Sequence, residues 1–278
     1  KIYHIGTQNI PCEHTPQNIH EWSRQYLAHC NEVLATPQPA TDRPTPAPEQ
    51  RIALPAPGAL NNDRLGNVLL QRKTCRSYTG AAITLKDVGA LLYLSLGYLH
   101  ERDNDRDDSI AQGLSARRSS PSAGGLNACE GFLLVQNVDA LEPGIYAYHP
   151  ADHTLSRINP LPQPALGQLL GGQHFINNLP LGMFITARFD RLWWKYEHSR
   201  AYRMAFVEAG HLSQTFQLVA TALGLNTWLT GAFADQQVEA LLNLEGSAEQ
   251  PLFFVGCGQS DGQVMCHEMR ELLREGQA

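Results

Sequence analysis

Charge is sparse in this chain. Asp, Glu, Lys and Arg make up 17% of its 278 residues, with 21 Lys and Arg against 27 Asp and Glu and a net charge of -6. No segment gathers bases into the positive face that holds a nucleic-acid backbone, so nucleic acid is excluded as a partner. Long apolar runs are missing as well, and none approaches the roughly 18 residues of a membrane-spanning helix. The residues present contain no signal-peptide pattern, and the expectation is a cytoplasmic protein with no membrane partner. Cys12, Cys30, Cys75, Cys129, Cys257 and Cys266 never form a Cys-x-x-Cys pair. They read as reduced interior thiols. Cys12, His14, His29 and Cys30 offer four zinc-type ligands, but adjacent His29-Cys30 suits a structural finger poorly, and no metal is expected. Phosphate-loop, zinc-hydrolase and serine-hydrolase chemistry is not expected, their motifs being read as absent, and no internal repeat is visible.

Proline, by contrast, is concentrated. Positions 37, 39, 44, 46, 48, 55 and 57 are all Pro, which marks an extended arm or linker after a helix of about Pro16 to Leu34. The chain therefore divides into residues 1–61, a helix with a Pro-rich arm, and a compact domain over 62–278. Asn62-Asp63 can cap a helix through about Gln71. Thr84 caps another, with Asp87 near the positive end of its dipole and Val88, Leu91, Leu92 and Leu96 on one face. Strands are expected at Gly131–Val138, Ile145–Tyr148, Thr154–Ile158, Leu181–Phe189 and Pro251–Gly256. His100–Asp108 reads as a charged, solvated loop. A long helix from Arg203 to Leu223 carries small and apolar residues on most sides, with Gly224 as its stop, and Asp235 opens a helix to Leu242. Strands and helices mix without regular alternation, which points to α+β.

Three short blocks carry the chemical signal. Arg72-Lys73-Thr74-Cys75-Arg76 concentrates positive charge and a hydroxyl at a helix end. Ser119 to Gly125 is a loop of small residues, where backbone can approach a flat ligand. Glu208-Ala209-Gly210-His211-Leu212-Ser213-Gln214 lies in the long helix. Each alone also fits a surface turn or a packed helix. In this order, over about Leu65 to Gly258, they resemble the nitroreductase superfamily, and more narrowly its SagB-type dehydrogenases, which oxidise azolines in ribosomally made peptides.

That resemblance implies a central mixed sheet flanked by helices, and a homodimer with FMN at its interface. It places Arg72, Lys73, Thr74 and Arg76 on the phosphate and ribityl oxygens, where planar guanidinium forks and a hydroxyl suit the oxygens. Pro121, Ser122, Ala123 and Gly124 would be the segment that the second subunit lays over the flavin. Thr230, Gly231 and Ala232 would meet flavin N5 through a backbone N–H; alone, this stretch also reads as a loop joining two helices. Many relatives carry a further base near the C-terminal end, whereas Cys257 to Asp261 holds none, which leaves a third phosphate ligand open, with Arg270 as the candidate.

The resemblance extends to Lys195-Tyr196, a dipeptide before the long helix. Aromatising an azoline removes a hydride and a proton, and a lysine takes that proton only when neutral. Such a lysine needs a pKa below its ordinary ~10.4, through burial or nearby positive charge. Trp193 and Trp194 are candidates for an apolar wall, and Arg191, Arg200 and Arg203 for like charges. Lys195 and Tyr196 are thus the expected catalytic pair. His211 reads as a buried, satisfied histidine, Glu208 and Gln214 as packing or dimer-contact groups, and Glu130 as a weak candidate for cofactor or substrate contact. The implied partners are a peptide substrate and a cyclodehydratase complex that makes the heterocycle first. The alternatives are an NAD(P)H-dependent nitro- or quinone reductase, and a flavin-free scaffold subunit.

Overall fold

The computed structural model describes residues 15–35, 64–101, 116–196 and 199–276. In chain order its elements are α1 (Ile19–Ala35), α2 (Arg64–Gln71), α3 (Leu85–Leu96), β1 (His100–Glu101), β2 (Ala116–Arg117), β3 (Cys129–Val135), β4 (Gly144–His149), β5 (Thr154–Asn159), α4 (Leu166–Leu169), β6 (Leu181–Arg188), α5 (Phe189–Lys195), α6 (Ala201–Ala222), β7 (Asn226–Thr230), α7 (Asp235–Leu241), β8 (Glu249–Gly258) and α8 (His267–Arg274). The main sheet has six strands in the order β5-β4-β3-β6-β8-β7.

Every ladder in that sheet is antiparallel. The parallel component expected of a mixed sheet is confined to isolated bridges, Thr74–Thr227 and Ile83–Val138. Side chains alternate across each strand, and both faces are covered. Leu133, Met183 and Val255 pack against Leu91 and Leu92 of α3 and Leu212 and Phe216 of α6. Their neighbours Leu134, Phe184 and Phe254 turn to the other face, against Trp22, Trp228, Val238 and Met269. Double-sided burial explains why β6 reads as an unbroken apolar run.

Thr84 caps α3 as expected, its Oγ1 accepting from Asp87 N at 3.1 Å. Helix α1 also forms where expected, and its Trp22 and Leu27 belong to the second core. The Pro16 carbonyl accepts from His174 Nε2 at 2.9 Å. The proposed boundary at residue 61, the Pro-rich arm, Cys12, His14 and the Asn62-Asp63 cap lie outside the described residues. His100 and Glu101, read as loop, pair with Ala116 and Arg117 instead. Among the described residues no helix is long and apolar enough to cross a membrane, and no three His, Cys, Asp or Glu gather as a metal site.

Candidate functional site

Helix α6 organises the site because two different structures use its two sides. At 3.6 residues per turn, Phe206, Gly210, Ser213 and Gln217 form one stripe. Glu208, His211 and Thr215 form another on the opposite side.

The first stripe lines a cleft of about 440 Å³, together with Arg72, Leu229 and Phe253. Arg72 follows the last turn of α2, its N–H bonded to Val68 O at 2.9 Å, where a cation complements the helix dipole. The basic block then runs beside the outer edge of β7: Thr74 bridges Thr227, and Cys75 N donates to Thr227 O at 3.0 Å. Among the described residues neither Arg72 nor Lys73 has a carboxylate partner. Arg76 turns elsewhere, donating through Nη1 to Val264 O at 3.0 Å and lying 5.9 Å from the Phe175 ring centre. Burial pushes the Cys75 thiol up, so it stays protonated and inert.

Thr230 ends β7 beside this cleft. Its Oγ1 accepts from Gln173 Nε2 at 3.2 Å and from Ala232 N at 3.0 Å, so the Ala232 amide is already engaged. A Cβ built on exposed Gly231 would lie 3.5 Å from the Phe253 ring, which lines the cleft. Of the stretch that alone also reads as a loop between helices, Thr230 ends a strand, and only Gly231 and Ala232 lie in the loop that follows.

The second stripe anchors the small-residue loop. Ser122 Oγ donates to Glu208 Oε2 at 2.6 Å and accepts from Asn127 N at 2.8 Å. Glu208 is 2% exposed, and its other oxygen accepts from Cys129 N at 3.1 Å. It is an internal anchor, a role that no local sequence signal reveals. His211 is exposed, contrary to the expectation of burial, because its side of α6 faces the loop and not the sheet; its Nδ1 donates to the Pro121 carbonyl at 3.3 Å. The apolar pattern of α6 also overstates burial, since Phe206 and Val207 are 43% and 49% exposed.

Lys195 and Tyr196 meet this loop at Gly124. Lys195 Nζ donates to Gly124 O at 3.1 Å. A Cβ at Gly124 would fall 2.6 Å from Tyr196 Oη and 2.7 Å from Lys195 Nζ. Gly124 also has φ +60°, so the backbone favours glycine, and any larger residue would displace the lysine and the tyrosine. Lys195 ends α5, a helix that the sequence reading missed. Only Phe189 and Leu192 of its residues are buried, too few for a visible period. Trp193 packs near Phe189 and Tyr202, whereas Trp194 is 72% exposed and forms no wall.

The expectation that no serine-hydrolase motif is present is corrected by the sequence at the end of β8. Gly258-Gln259-Ser260-Asp261-Gly262 fits the Gly-x-Ser-x-Gly of serine hydrolases. Ser260 Oγ accepts from Gly262 N at 3.0 Å, and among the described residues no histidine bonds it, so no nucleophile–base pair forms there.

Comparison with known proteins places this geometry. The model described as the nitroreductase family matches residues 69–259. A protein of Methanocaldococcus jannaschii named as a nitroreductase is 30% identical over 202 residues, covering 70% of this chain and 91% of that one. The microcin B17-processing protein McbC of Escherichia coli is 29% identical over 144 residues, covering 50% of this chain and 53% of that one. The chain thus aligns with about half the length of McbC. Among solved structures, the E. coli microcin synthetase McbBCD complex with truncated pro-MccB17 bound contains a similar chain. The TM-score is 0.60 at 22% identity, over 84% of this chain and 82% of that one, a likeness of fold.

Proposed function

This chain belongs to the nitroreductase family, and from that premise we propose that it is a homodimeric, FMN-dependent dehydrogenase of the SagB type. Its substrate is an azoline ring in a ribosomally made peptide, oxidised to an azole. The observation that carries the reading is the convergence of Lys195 Nζ and Tyr196 Oη on Gly124, in a loop of the kind relatives lay over a flavin. Similarity to McbC, a peptide-processing protein, supports the substrate class.

The residues present fit the cofactor. Arg72, which among the described residues has no carboxylate partner, stands at a cleft floored by Gly210, Leu229 and Phe253, with Lys73 next to it in the chain, and a Cβ on Gly210 would meet nothing within 4 Å. Such a site suits an anionic tail and a flat ring. Arg72 and Lys73 hold the phosphate, and the ring edge meets backbone just past the end of β7, at exposed Gly231.

When bound, FMN supplies the hydride acceptor. Azoline oxidation releases one hydride and one proton from adjacent ring atoms. Lys195 Nζ is the group that takes the proton, and Tyr196 Oη steadies the same locus. Gly124 and Pro121 keep the wall of the site flat.

The cleft and the Lys195–Tyr196 pair use opposite sides of α6, which supports a dimer in which one chain's loop and base serve its partner's cleft. Leu65, Leu69 and Leu70 of α2 are 56%, 52% and 70% exposed. With Phe206 and Val207 they offer apolar surface suited to a second copy. A cyclodehydratase complex is the matching supplier of the ring, in keeping with the multi-protein microcin synthetase that shares the fold.

The decisive experiment compares wild type with Lys195→Ala on a synthetic peptide bearing one thiazoline. Mass spectrometry should show a two-hydrogen loss only with wild type, while both proteins stay yellow. Undiminished oxidation by the variant removes Lys195 from the mechanism. A second reading, an NAD(P)H-dependent nitro- or quinone reductase, is favoured by the M. jannaschii relative. Rapid bleaching of the flavin by NADPH, with no action on the thiazoline, would establish it instead.

A further inference from the structure

A chain of charged groups lies behind the Lys195–Gly124 contact, and the mechanism above leaves it without a task. Arg191 stands one turn before Lys195 on α5, so both side chains leave the helix on one side. Its Nη1 donates to the Asn127 carbonyl at 3.0 Å and to Glu130 Oε1. Glu130, at the start of β3, also faces Arg118 Nη2 at 3.5 Å. Arg118 has a side chain 1% exposed; its Nη1 donates to Cys129 O at 2.6 Å and lies 3.9 Å from Glu208 Oε1. The series Glu208, Arg118, Glu130, Arg191 thus runs from α6 through the start of β3 to α5.

Asn127 is where this series touches the loop. Its φ is +47°, a left-handed conformation that asparagine adopts more readily than other non-glycine residues. Asn127 is held at three groups: its N–H donates to Ser122 Oγ at 2.8 Å, its side-chain Nδ2 to Ala116 O at 2.9 Å, and its backbone carbonyl accepts from Arg191. The loop therefore meets α5 at two points, Asn127 to Arg191 and Gly124 to Lys195. The first contact is ion-paired at its far side. The second is made by a single exposed amine, and the anchors on α6 hold Pro121 and Ser122, before Gly124, not the residues after it.

Resting on the reading of Lys195 as the base, we propose that Arg191 and Glu130 are a positioning pair. They clamp the left-handed turn at Asn127 to α5, so that Gly124 stays against Lys195 and Tyr196. Neither residue touches the reacting atoms. Glu130 orients Arg191, Arg191 holds the Asn127 carbonyl, and the loop carries that restraint three residues back to Gly124. A displacement of about 1 Å at a reacting group costs on the order of 100-fold in rate, and a slack loop permits a displacement of that size.

The test uses full-length, FMN-loaded protein and the thiazoline peptide. Arg191→Ala and Glu130→Gln should each lower kcat by about 10- to 100-fold, with KM and flavin content within about twofold of wild type. Arg191→Lys, which restores a cation to Glu130, should recover part of the loss. The double variant should be no worse than the poorer single one, since the pair acts as a unit. In parallel, amide hydrogen exchange should quicken at least about fivefold at Gly125, Leu126 and Asn127 in the variants. Wild-type kcat in both single variants, additive losses, or unchanged exchange at those amides would overturn the proposal. Should Arg191→Ala fail to fold, Glu130→Gln, which keeps the side-chain shape, decides alone. Should wild type leave the thiazoline untouched, the functional reading fails, and the exchange comparison judges the clamp separately.

Discussion

Gly124→Ala isolates the geometry on which the proposed chemistry depends. Two costs follow from one added methyl group. The backbone at φ +60° places an alanine Cβ against the following carbonyl, at about 1–2 kcal/mol. The methyl would also sit 2.7 Å from Lys195 Nζ and 2.6 Å from Tyr196 Oη, where ordinary contact begins near 3.4 Å. The exposed Lys195 amine gives way freely, whereas half-buried Tyr196, packed against the core, must shift as a whole ring, so the steric cost is met by moving the two groups about 0.7 Å or more, not by unfolding. The stability loss is then about 1–2 kcal/mol, a fall in Tm of a few degrees for a domain of this size. The rate effect is larger, since a shift approaching 1 Å at a proton-accepting group costs about 10- to 100-fold. Thermal melting, flavin absorbance and the two-hydrogen mass loss on the thiazoline peptide measure the three consequences on one preparation. The expected outcome is a lowered Tm, retained flavin and slow oxidation. Oxidation at the wild-type rate, with only Tm lowered, would show that the lysine and tyrosine do not work from Gly124.

Two further predictions concern stability. Trp22→Ala removes a ring that is 8% exposed and lies 4.8 Å from the Phe175 ring centre. Urea unfolding should show a loss of about 3–5 kcal/mol, while activity per folded molecule stays unchanged because α1 lies across the sheet from α6. A loss under 1 kcal/mol would mean that α1 is not docked in solution. Burial is the main cause that raises the Glu249 carboxyl pKa, and the Thr186 hydroxyl bond opposes it only in part. A carboxyl raised in the folded state costs stability above its folded pKa and costs nothing below its unfolded pKa of about 4.3. Glu249→Gln should therefore raise Tm at pH 8, and the gain should vanish near pH 4. A gain independent of pH would contradict that sign.

The parts of this molecule legible in its sequence are those with local chemistry or a long period. Helix α6 announces itself through small and apolar residues at helical spacing, and α3 through Thr84 and Asp87 three residues apart. The basic block and the Ser-Gly loop were legible as motifs. Strand β7 was not, because Asn226 to Thr230 is short and Gly224 and Gly231 bracket it like a loop. Its outer edge is closed by Thr74 and Cys75, some 150 residues away in the chain, and no local pattern encodes that. His211 was misjudged for a related reason: periodicity finds a face but not what packs on it. Glu208, Arg118, Glu130 and Arg191 belong together only after β3 and α5 meet at the end of the sheet.

The missing base near the C-terminal end has a structural counterpart. Arg270 does not stand free to serve a phosphate, since its Nη2 lies 3.4 Å from Asp261 Oδ2. Asp261 in turn is held below the usual carboxylate range, first by the bond from Gln263 N and with help from Ser77 and Arg270. Neutralised within its own segment, this turn brings no net cation to the cleft. It does bring backbone: Thr79 N donates to Gln259 O at 3.0 Å and Arg76 N to Gln263 O at 3.2 Å. Residues 76–79 are thereby strapped to 259–263. Lys73 Nζ lies 2.9 Å from where a Gly262 Cβ would stand, which sets the lysine between the turn and the basic block. On the proposed reading the phosphate is neutralised by Arg72 and Lys73 from one block, and the C-terminal turn contributes by fixing where that block lies. Arg76, bonded to Val264 O, belongs to the strap and not to the charge.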